Sequence, residues 1–232
     1  MIAVITGAAR GIGKAIAIKL ASLGYDLLLN SKNDSSLAAA VHEIKQAYPL
    51  INIHSKAADM SLKEEAIGFA DWCLGFGTVD VLVNNAGAYL PGNAVFGPEG
   101  HVEEMMNVNF YSAYYMSRQL APAMVKAKKG HIINMCSIAS LQAYKNGGAY
   151  GISKYAMMGL SKNLRLELME HNVRVTAFYL GAVDTDTWGD FDNSNERIMR
   201  VDDIAASVAM AIQLKGAAVV EDIVIRPQLG DL

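Results

Sequence analysis

The chain changes hydrophobic period repeatedly along its length, and that alternation restricts its fold more than any single motif does. Short apolar runs rich in β-branched residues predict strands at residues 2–6, 26–30, 51–54, 79–84, 130–136, 173–179 and 219–225. Between them, apolar residues at helical spacing predict helices at residues 12–23, 36–48, 62–74, 102–125, 149–170 and 201–214. Gly24 and Pro49 close the first two helices as stop signals. Strands that alternate with helices favour a parallel sheet, because each strand must be reached by a crossover. Right-handed crossovers wind helices onto both faces and leave a ligand crevice beyond the carboxyl ends of the strands. The expected class is therefore α/β, a doubly wound parallel sheet of about seven strands with helices on both faces. No compositional break, repeat or linker interrupts the pattern, so residues 1–232 are expected to form one domain.

Composition narrows the function classes. The chain is 52% hydrophobic and 19% charged, which is enough apolar material for a sizeable core. A net charge of −3 offers no general footprint for nucleic acid or anionic membrane, so neither partner is expected. No apolar run reaches the roughly 18 residues that a membrane span needs. The opening MIAVITGAARGIG lacks the basic flank and cleavage site of a signal peptide, and a cytoplasmic location is expected. Cys73 and Cys136 are then reduced core residues, and Asn33-Asp34-Ser35 is surface loop instead of a glycosylation site. The five histidines show no metal-ligand spacing, and no metal is expected.

Two stretches carry chemistry. The first strand–helix turn reads Thr6-Gly7-Ala8-Ala9-Arg10-Gly11-Ile12-Gly13. Glycines there let backbone N–H groups approach a pyrophosphate, and the following helix N-terminus favours its negative charge. The spacing is G-x-x-x-G-x-G, and the plain alternative is a turn that closes an ordinary βα unit. Tyr150 and Lys154 sit four residues apart, on one face of an expected helix. A nearby ammonium favours a phenolate, so such a tyrosine could give a proton to a carbonyl oxygen or take one from a hydroxyl.

With these stretches in order, the chain resembles the short-chain dehydrogenases/reductases over essentially its whole length. The likeness rests on the first turn, on Asn84-Asn85-Ala86-Gly87 after the fourth strand, on Asn109 where the family's asparagine interrupts the long helix, and on Ser137 thirteen residues before Tyr150. It implies a Rossmann-type NAD(P)-binding oxidoreductase with a catalytic tetrad of Asn109, Ser137, Tyr150 and Lys154. Ser137 would hold the substrate oxygen beside Tyr150, the general acid or base. Lys154 would also bind the nicotinamide ribose, and the Asn109 carbonyl would fix a water linking Lys154 to solvent. The implied cofactor bed is Gly7, Ala9, Arg10, Gly11, Ile12 and Gly13 from the first turn, then Asp59, then Asn85, Ala86 and Gly87. Gly181, Val183 and Thr185 complete it, with Tyr150 and Lys154. At the end of the second strand stand Ser31 and Lys32 where NAD-selective folds place a carboxylate, while Asp34 is assigned to capping the next helix. Ser31, Lys32 and Arg10 suit a 2′-phosphate, so NADP(H) is expected in preference to NAD(H).

Three positions depart from the family pattern. Leu180 replaces a usual proline, Met135-Cys136 a usual Ile-Ser, and Ser140 a frequent glycine. Residues 186–200 should form a substrate lid, and Tyr89, Leu141, Tyr144, Trp188 and Phe191 should line an apolar or aromatic pocket. The acidic 184–196 segment should disfavour anionic substrates. The leading reading is an NADP(H)-dependent reductase or dehydrogenase of small carbonyl or alcohol compounds. One alternative is a 3-oxoacyl-[acyl-carrier-protein] reductase, with Lys126, Lys128 and Lys129 meeting an acidic carrier. Another is a non-catalytic dinucleotide-sensing regulator, which would need no proton relay. Family members commonly pair through the two long helices, so a homodimer or homotetramer is expected; the helix at 102–125 has apolar residues around its circumference, including Tyr111, Tyr114, Tyr115 and Met116, more than one sheet-facing side needs.

Overall fold

Seven parallel strands form one sheet in a computed structural model that describes residues 1–230. In chain order they are β1 (Ile2–Ile5), β2 (Asp26–Ser31), β3 (Ile53–Ala57), β4 (Val81–Asn84), β5 (Gly130–Ser137), β6 (Val173–Leu180) and β7 (Asp222–Ile225). Their spatial order is β3-β2-β1-β4-β5-β6-β7. The chain therefore winds outward from β1 to one edge, then crosses back to β4 and winds to the other. That reversal opens a crevice beyond the carboxyl ends of β1 and β4.

The helices are α1 (Gly11–Ser22), α2 (Asp34–Ala47), α3 (Lys63–Leu74), α4 (His101–Met106), α5 (Ser112–Ala127), α6 (Gly148–Leu168) and α7 (Val201–Gln213). Period-two alternation in each strand sends successive side chains to opposite faces. Ala3 and Ile5 of β1 join Leu27, Leu29 and Val83 under Ile16 and Leu20 of α1 and Val208 and Ile212 of α7. Val4 points the other way, with Leu28, Leu82 and Ile132, under Phe69 of α3 and Met116, Leu120 and Met124 of α5. Both faces are dry, which is why the central strands read as unbroken apolar runs. Each buried Leu or Ile contributes roughly 1.5–3 kcal/mol relative to exposure.

Four expectations need correction. The third strand lies at Ile53–Ala57, not 51–54, in register from Leu27↔Ile53 to Ser31↔Ala57. It is the edge strand, so polar His54, Ser55 and Lys56 are tolerated there and hide its start from a hydrophobicity search. The last strand begins at Asp222 and not at residue 219. The helix read as continuous from periodicity at 102–125 is interrupted where the resemblance implied, at Asn109: α4 and α5 are joined by a π-helical turn, Asn107–Tyr111. Asn33, and not Asp34, caps α2, its side chain accepting from the Ser36 N–H at 2.9 Å.

A chain of buried amides ties the elements under the crevice. Asn84 Nδ2 on β4 donates to Asn134 Oδ1 on β5 at 2.8 Å and to Ser117 Oγ on α5 at 3.1 Å. Asn134 Nδ2 donates in turn to Ser161 Oγ on α6 at 2.9 Å. Removing Asn134 would strand donors and acceptors with no access to water. We predict that Asn134→Ala lowers folding stability by about 2–3 kcal/mol, read as the denaturant midpoint at unchanged slope. A loss below about 0.5 kcal/mol would show that water replaces the amide and that the network holds little.

Candidate active site

The crevice is built first from the turn after β1. Gly7 and Gly11 have φ of +66° and +54°, a region that side chains rarely adopt. Gly13 is required for another reason: a Cβ there would lie 2.2 Å from the Gly7 carbonyl oxygen and 2.5 Å from Asn85 Nδ2. The helix thus starts hard against the turn. Asn85 Nδ2 donates to the Thr6 and Gly7 carbonyls at 2.9 and 3.1 Å, and Thr6 Oγ1 accepts from the Asn85 and Ala86 N–H groups at 3.0 and 2.9 Å. These bonds lock the ends of β1 and β4 together. Ala9 and Ile12 pack on the core beneath the turn. Arg10, at the N-cap of α1, extends its guanidinium to Asp186 at 2.8 Å and does not cap the helix. Gly11, Ile12, Gly13 and Lys14 fill the first turn of α1, so no carboxylate competes there for an anion. The glycine approaches and the helix N-terminus together fit a dinucleotide pyrophosphate.

At the end of β2, Ser31 is partly exposed and Lys32 extends to Asp59 at 2.7 Å. Burial pushes the Asp59 carboxyl up, but hydrogen bonds from Lys32 and Ser61 and the lysine charge outweigh it and hold the group below its usual range. The two cations expected at one phosphate, Arg10 and Lys32, are thus each paired with a carboxylate of a different segment. After β6, Gly181 donates to the Ile225 carbonyl at 2.9 Å and Val183 bridges to Met199. Thr185 lies over the start of α1: a Cβ on Gly11 would meet its Cγ2 at 3.4 Å. Leu180 ends β6 in register with Ser137 and Ile225, so the strand continues through the position of the family's proline.

The π-helical turn presents Asn109, which is 1% exposed. Its side-chain amide exchanges hydrogen bonds with Ala88, accepting from the N–H at 2.9 Å and donating to the carbonyl at 3.1 Å. The same Nδ2 donates to Ser153 Oγ on α6 at 2.9 Å. Asn109 therefore fixes both the loop after β4 and the helix that carries Tyr150. Gly87 is held bare by this arrangement, since a Cβ would come within 2.9 Å of Asn109 Oδ1. Ser137 ends β5 and accepts from the Ala139 N–H at 3.1 Å, while Ser140 Oγ accepts from the Ser137 N–H at 3.3 Å. Ser140, in place of a glycine, thereby completes a capping box on the turn at Ile138–Ser140.

Tyr150 and Lys154 share a face of α6. The Lys154 ammonium is 5.6 Å from the centre of the Tyr150 ring and donates to the Met135 carbonyl at 2.9 Å. Lys154 is only 8% exposed, so its orientation is imposed by β5. Tyr89 meets Tyr150 edge to face, ring centres 5.1 Å apart. Tyr144 lies against Gly147, and burial chiefly, then Tyr89, raises its phenol above the ordinary value. The Trp188 and Phe191 rings meet at a tilt of 53° with centres 5.7 Å apart, and Trp188 Nε1 donates to the Val183 carbonyl at 2.9 Å. That pair forms its own unit, without a ring contact to the three tyrosines among the described residues. Leu141 is exposed.

Sequence reasoning missed Thr6, Ser153 and Asp186 as structural partners of the site. Ser153 had a legible signal: it stands one turn after Tyr150, beside Lys154, at a buried position of the helix. Asp186 had none, since 176 residues separate it from Arg10.

Comparison with known proteins agrees with this geometry. The family profile described as short chain dehydrogenase matches residues 1–196. A sepiapterin reductase of Chlorobaculum tepidum is 31% identical, with 100% of this chain and 98% of that protein covered. A diacetyl reductase [(S)-acetoin forming] of Staphylococcus epidermidis is 32% identical over 87% of this chain and 77% of its own length. Among solved structures, a metagenomic short-chain oxidoreductase in complex with NADP superposes with a TM-score of 0.86 at 35% identity, covering 98% and 97% of the two chains. A glycine turn fitted to a dinucleotide, seven parallel strands and these likenesses together place the chain in the short-chain dehydrogenase/reductase family.

Proposed function

We propose that this oxidoreductase interconverts small neutral carbonyl compounds and their alcohols with NADP(H), with Tyr150 as general acid and base. The observation that carries the reading is the joint placement of Tyr150 and Lys154 at the carboxyl end of β5, with Lys154 anchored on the Met135 carbonyl two residues before Ser137. The nicotinamide, when bound, supplies or accepts the hydride, and carbonyl plus hydride plus proton gives the alcohol. Tyr150 moves that proton at its hydroxyl oxygen. The Lys154 ammonium has three donors, and with one spent on Met135 it has N–H groups left for ribose hydroxyls. Ser137 Oγ donates to the Leu180 carbonyl at 3.4 Å, a long bond that a substrate oxygen can replace. Asn109 holds α6 and the β4 loop in position, and its carbonyl sits in the wide π turn, where a water can link Lys154 to solvent.

Gly7, Ala9, Arg10, Gly11, Ile12 and Gly13 would hold the pyrophosphate, with Asn85, Ala86 and Gly87 shaping the floor and Gly181, Val183 and Thr185 closing over it. Asp59 would flank the adenine. A 2′-phosphate would find the Ser31 hydroxyl and take Lys32 from Asp59 and Arg10 from Asp186, exchanging one anion for another. The NADP complex of the similar metagenomic oxidoreductase supports this preference. The likeness to a sepiapterin reductase and a diacetyl reductase supports a small carbonyl substrate. Carrier docking through Lys126, Lys128 and Lys129 gains nothing from the fold. These residues end α5 at the amino edge of the sheet, where Lys129 pairs with Asp80 just before β4, on the side opposite Tyr150. Half-exposed Tyr111, Ile152 and Tyr155, with Leu166 and Met169, support pairing of copies through α5 and α6 as a homodimer or homotetramer, which light scattering reads directly.

Tyr150→Phe should keep the fold and NADPH affinity while turnover falls by roughly 10²–10⁴-fold, the contribution of a general acid–base group. Near-normal turnover in that variant would end the assignment. Wild type should show a higher kcat/KM with NADPH than with NADH, and Ser31→Asp should narrow or invert the ratio by repelling the 2′-phosphate. An unchanged ratio would remove Ser31 from the cofactor site.

A further inference from the structure

Tyr150 is fastened at both of its ends, and the two fastenings are connected. One end is its main chain. Ser153 Oγ donates to the Tyr150 carbonyl at 2.7 Å, and Ser153 is completely buried. The same hydroxyl accepts from Asn109 Nδ2 at 2.9 Å. The other end is the ring, which meets Tyr89 edge to face with centres 5.1 Å apart and planes at 81°. Tyr89 directly follows Ala88, whose N–H and carbonyl both bond to the Asn109 amide. The contacts therefore close on themselves. They run from the Tyr150 carbonyl through Ser153, Asn109 and Ala88 to Tyr89, and back to the Tyr150 ring. Three segments contribute: α6, the π-helical turn and the loop after β4.

Donor counting shows how fully this circuit is committed. Asn109 Nδ2 has two hydrogens, which go to the Ala88 carbonyl and to Ser153, while the Met105 sulfur lies further off at 3.6 Å. The Ser153 hydroxyl has one hydrogen, and it goes to Tyr150. Serines on helices often bond back to their own helix, as Ser112 and Ser161 do to carbonyls four residues earlier. Ser153 instead reaches three residues back, to Tyr150 itself. Buried and bonded on both sides, it has nothing to offer a substrate, so any effect on chemistry must pass through Tyr150. We propose that Ser153 is a positioning residue for proton transfer, which together with Tyr89 holds the Tyr150 hydroxyl on the reacting oxygen. Asn109 couples the two anchors, so that losing either one releases the phenol. This rests on the general acid and base role proposed above for Tyr150. The plainer alternative is that Ser153 only stabilises α6.

Isotope effects separate the two, because a population of misfolded molecules lowers kcat without changing the isotope effect of those still active. The substrate is the best one in a panel of small neutral ketones and aldehydes, reduced with NADPH in ordinary and in heavy water. We expect Ser153→Ala to lower kcat about 10–100-fold, the cost of a slightly misplaced group, while KM for NADPH stays within about twofold. Its solvent isotope effect on kcat should rise, since a misplaced phenol slows proton transfer relative to every other step. Ser153→Thr keeps the hydroxyl and should recover most of kcat. Should the added methyl prevent folding, Ser153→Cys, a smaller and weaker donor, should fall between alanine and wild type. Tyr89→Ala should also lower kcat, and the double variant should lie no more than about threefold below the poorer single one. Near-normal kcat in Ser153→Ala, or a loss with an unchanged isotope effect, would overturn the proposal. So would a double variant whose loss equals the product of the single losses, because the anchors would then act independently. The proposed function fails separately: an active Tyr150→Phe, or a wild type inert to the whole panel, would sink both. An inactive Tyr150→Phe beside a normal Ser153→Ala would remove the circuit alone.

Discussion

Every strand of the sheet runs in one direction, and the site follows from that constraint. Parallel pairing forces each connection to cross the sheet, so all the β-to-α turns collect at one edge. The glycine turn, the Asn84–Gly87 segment, Ser137 and the Gly181–Thr185 segment are far apart in the chain yet must emerge side by side. The outward winding from β1 in two directions parts these turns between β1 and β4. A crevice there is a consequence of topology, and side chains need only decide what it binds.

What they add is mostly fixation. Asn85 and Thr6 stitch β1 to β4 with four hydrogen bonds, and the chain crosses itself so closely there that Gly13 has no room for a methyl group. Asn109 performs the corresponding task between the β4 loop and α6, from a π turn that swings its amide inward. Lys154 is mostly buried and held by a single carbonyl, a placement that a charge reaches at a cost in desolvation. Two ion pairs, exposed Arg10 with Asp186 and exposed Lys32 with partly buried Asp59, join segments around the glycine turn. An exposed pair such as Arg10–Asp186 contributes about 0–1 kcal/mol, so its loss costs the fold little.

The sequence disclosed the parts of this arrangement that rest on local patterns. Central strands buried on both faces announced themselves as apolar runs, and glycine spacing and the Tyr150–Lys154 interval are local too. Tertiary context decided the rest. The edge strand β3 was misplaced because an edge tolerates polar residues. The break at Asn107–Tyr111 was anticipated only through resemblance, since its residues have ordinary helical periodicity. Asn33 took the cap assigned to its neighbour, and such boundary shifts of a residue are below what propensity resolves. Lys32 was foreseen at the end of β2 but not its partner Asp59, nor that of Arg10, because ion pairs across the sheet edge leave no periodic trace. Ser140, taken only as a departure from the family loop, is a capping residue whose role depends on a three-residue turn.

The central claim is that hydride and proton reach the substrate from different places, the first from the nicotinamide and the second from Tyr150 in exchange with solvent. Isotope tracing tests it directly. Reduction of a small neutral ketone with NADPH carrying deuterium at the transferable C4 position, in ordinary water, should give an alcohol with one deuterium on the carbinol carbon by mass spectrometry. Unlabelled NADPH in heavy water should leave that carbon unlabelled, with deuterium only on the exchangeable hydroxyl. Carbon label from the solvent, or none from the labelled cofactor, would contradict the account.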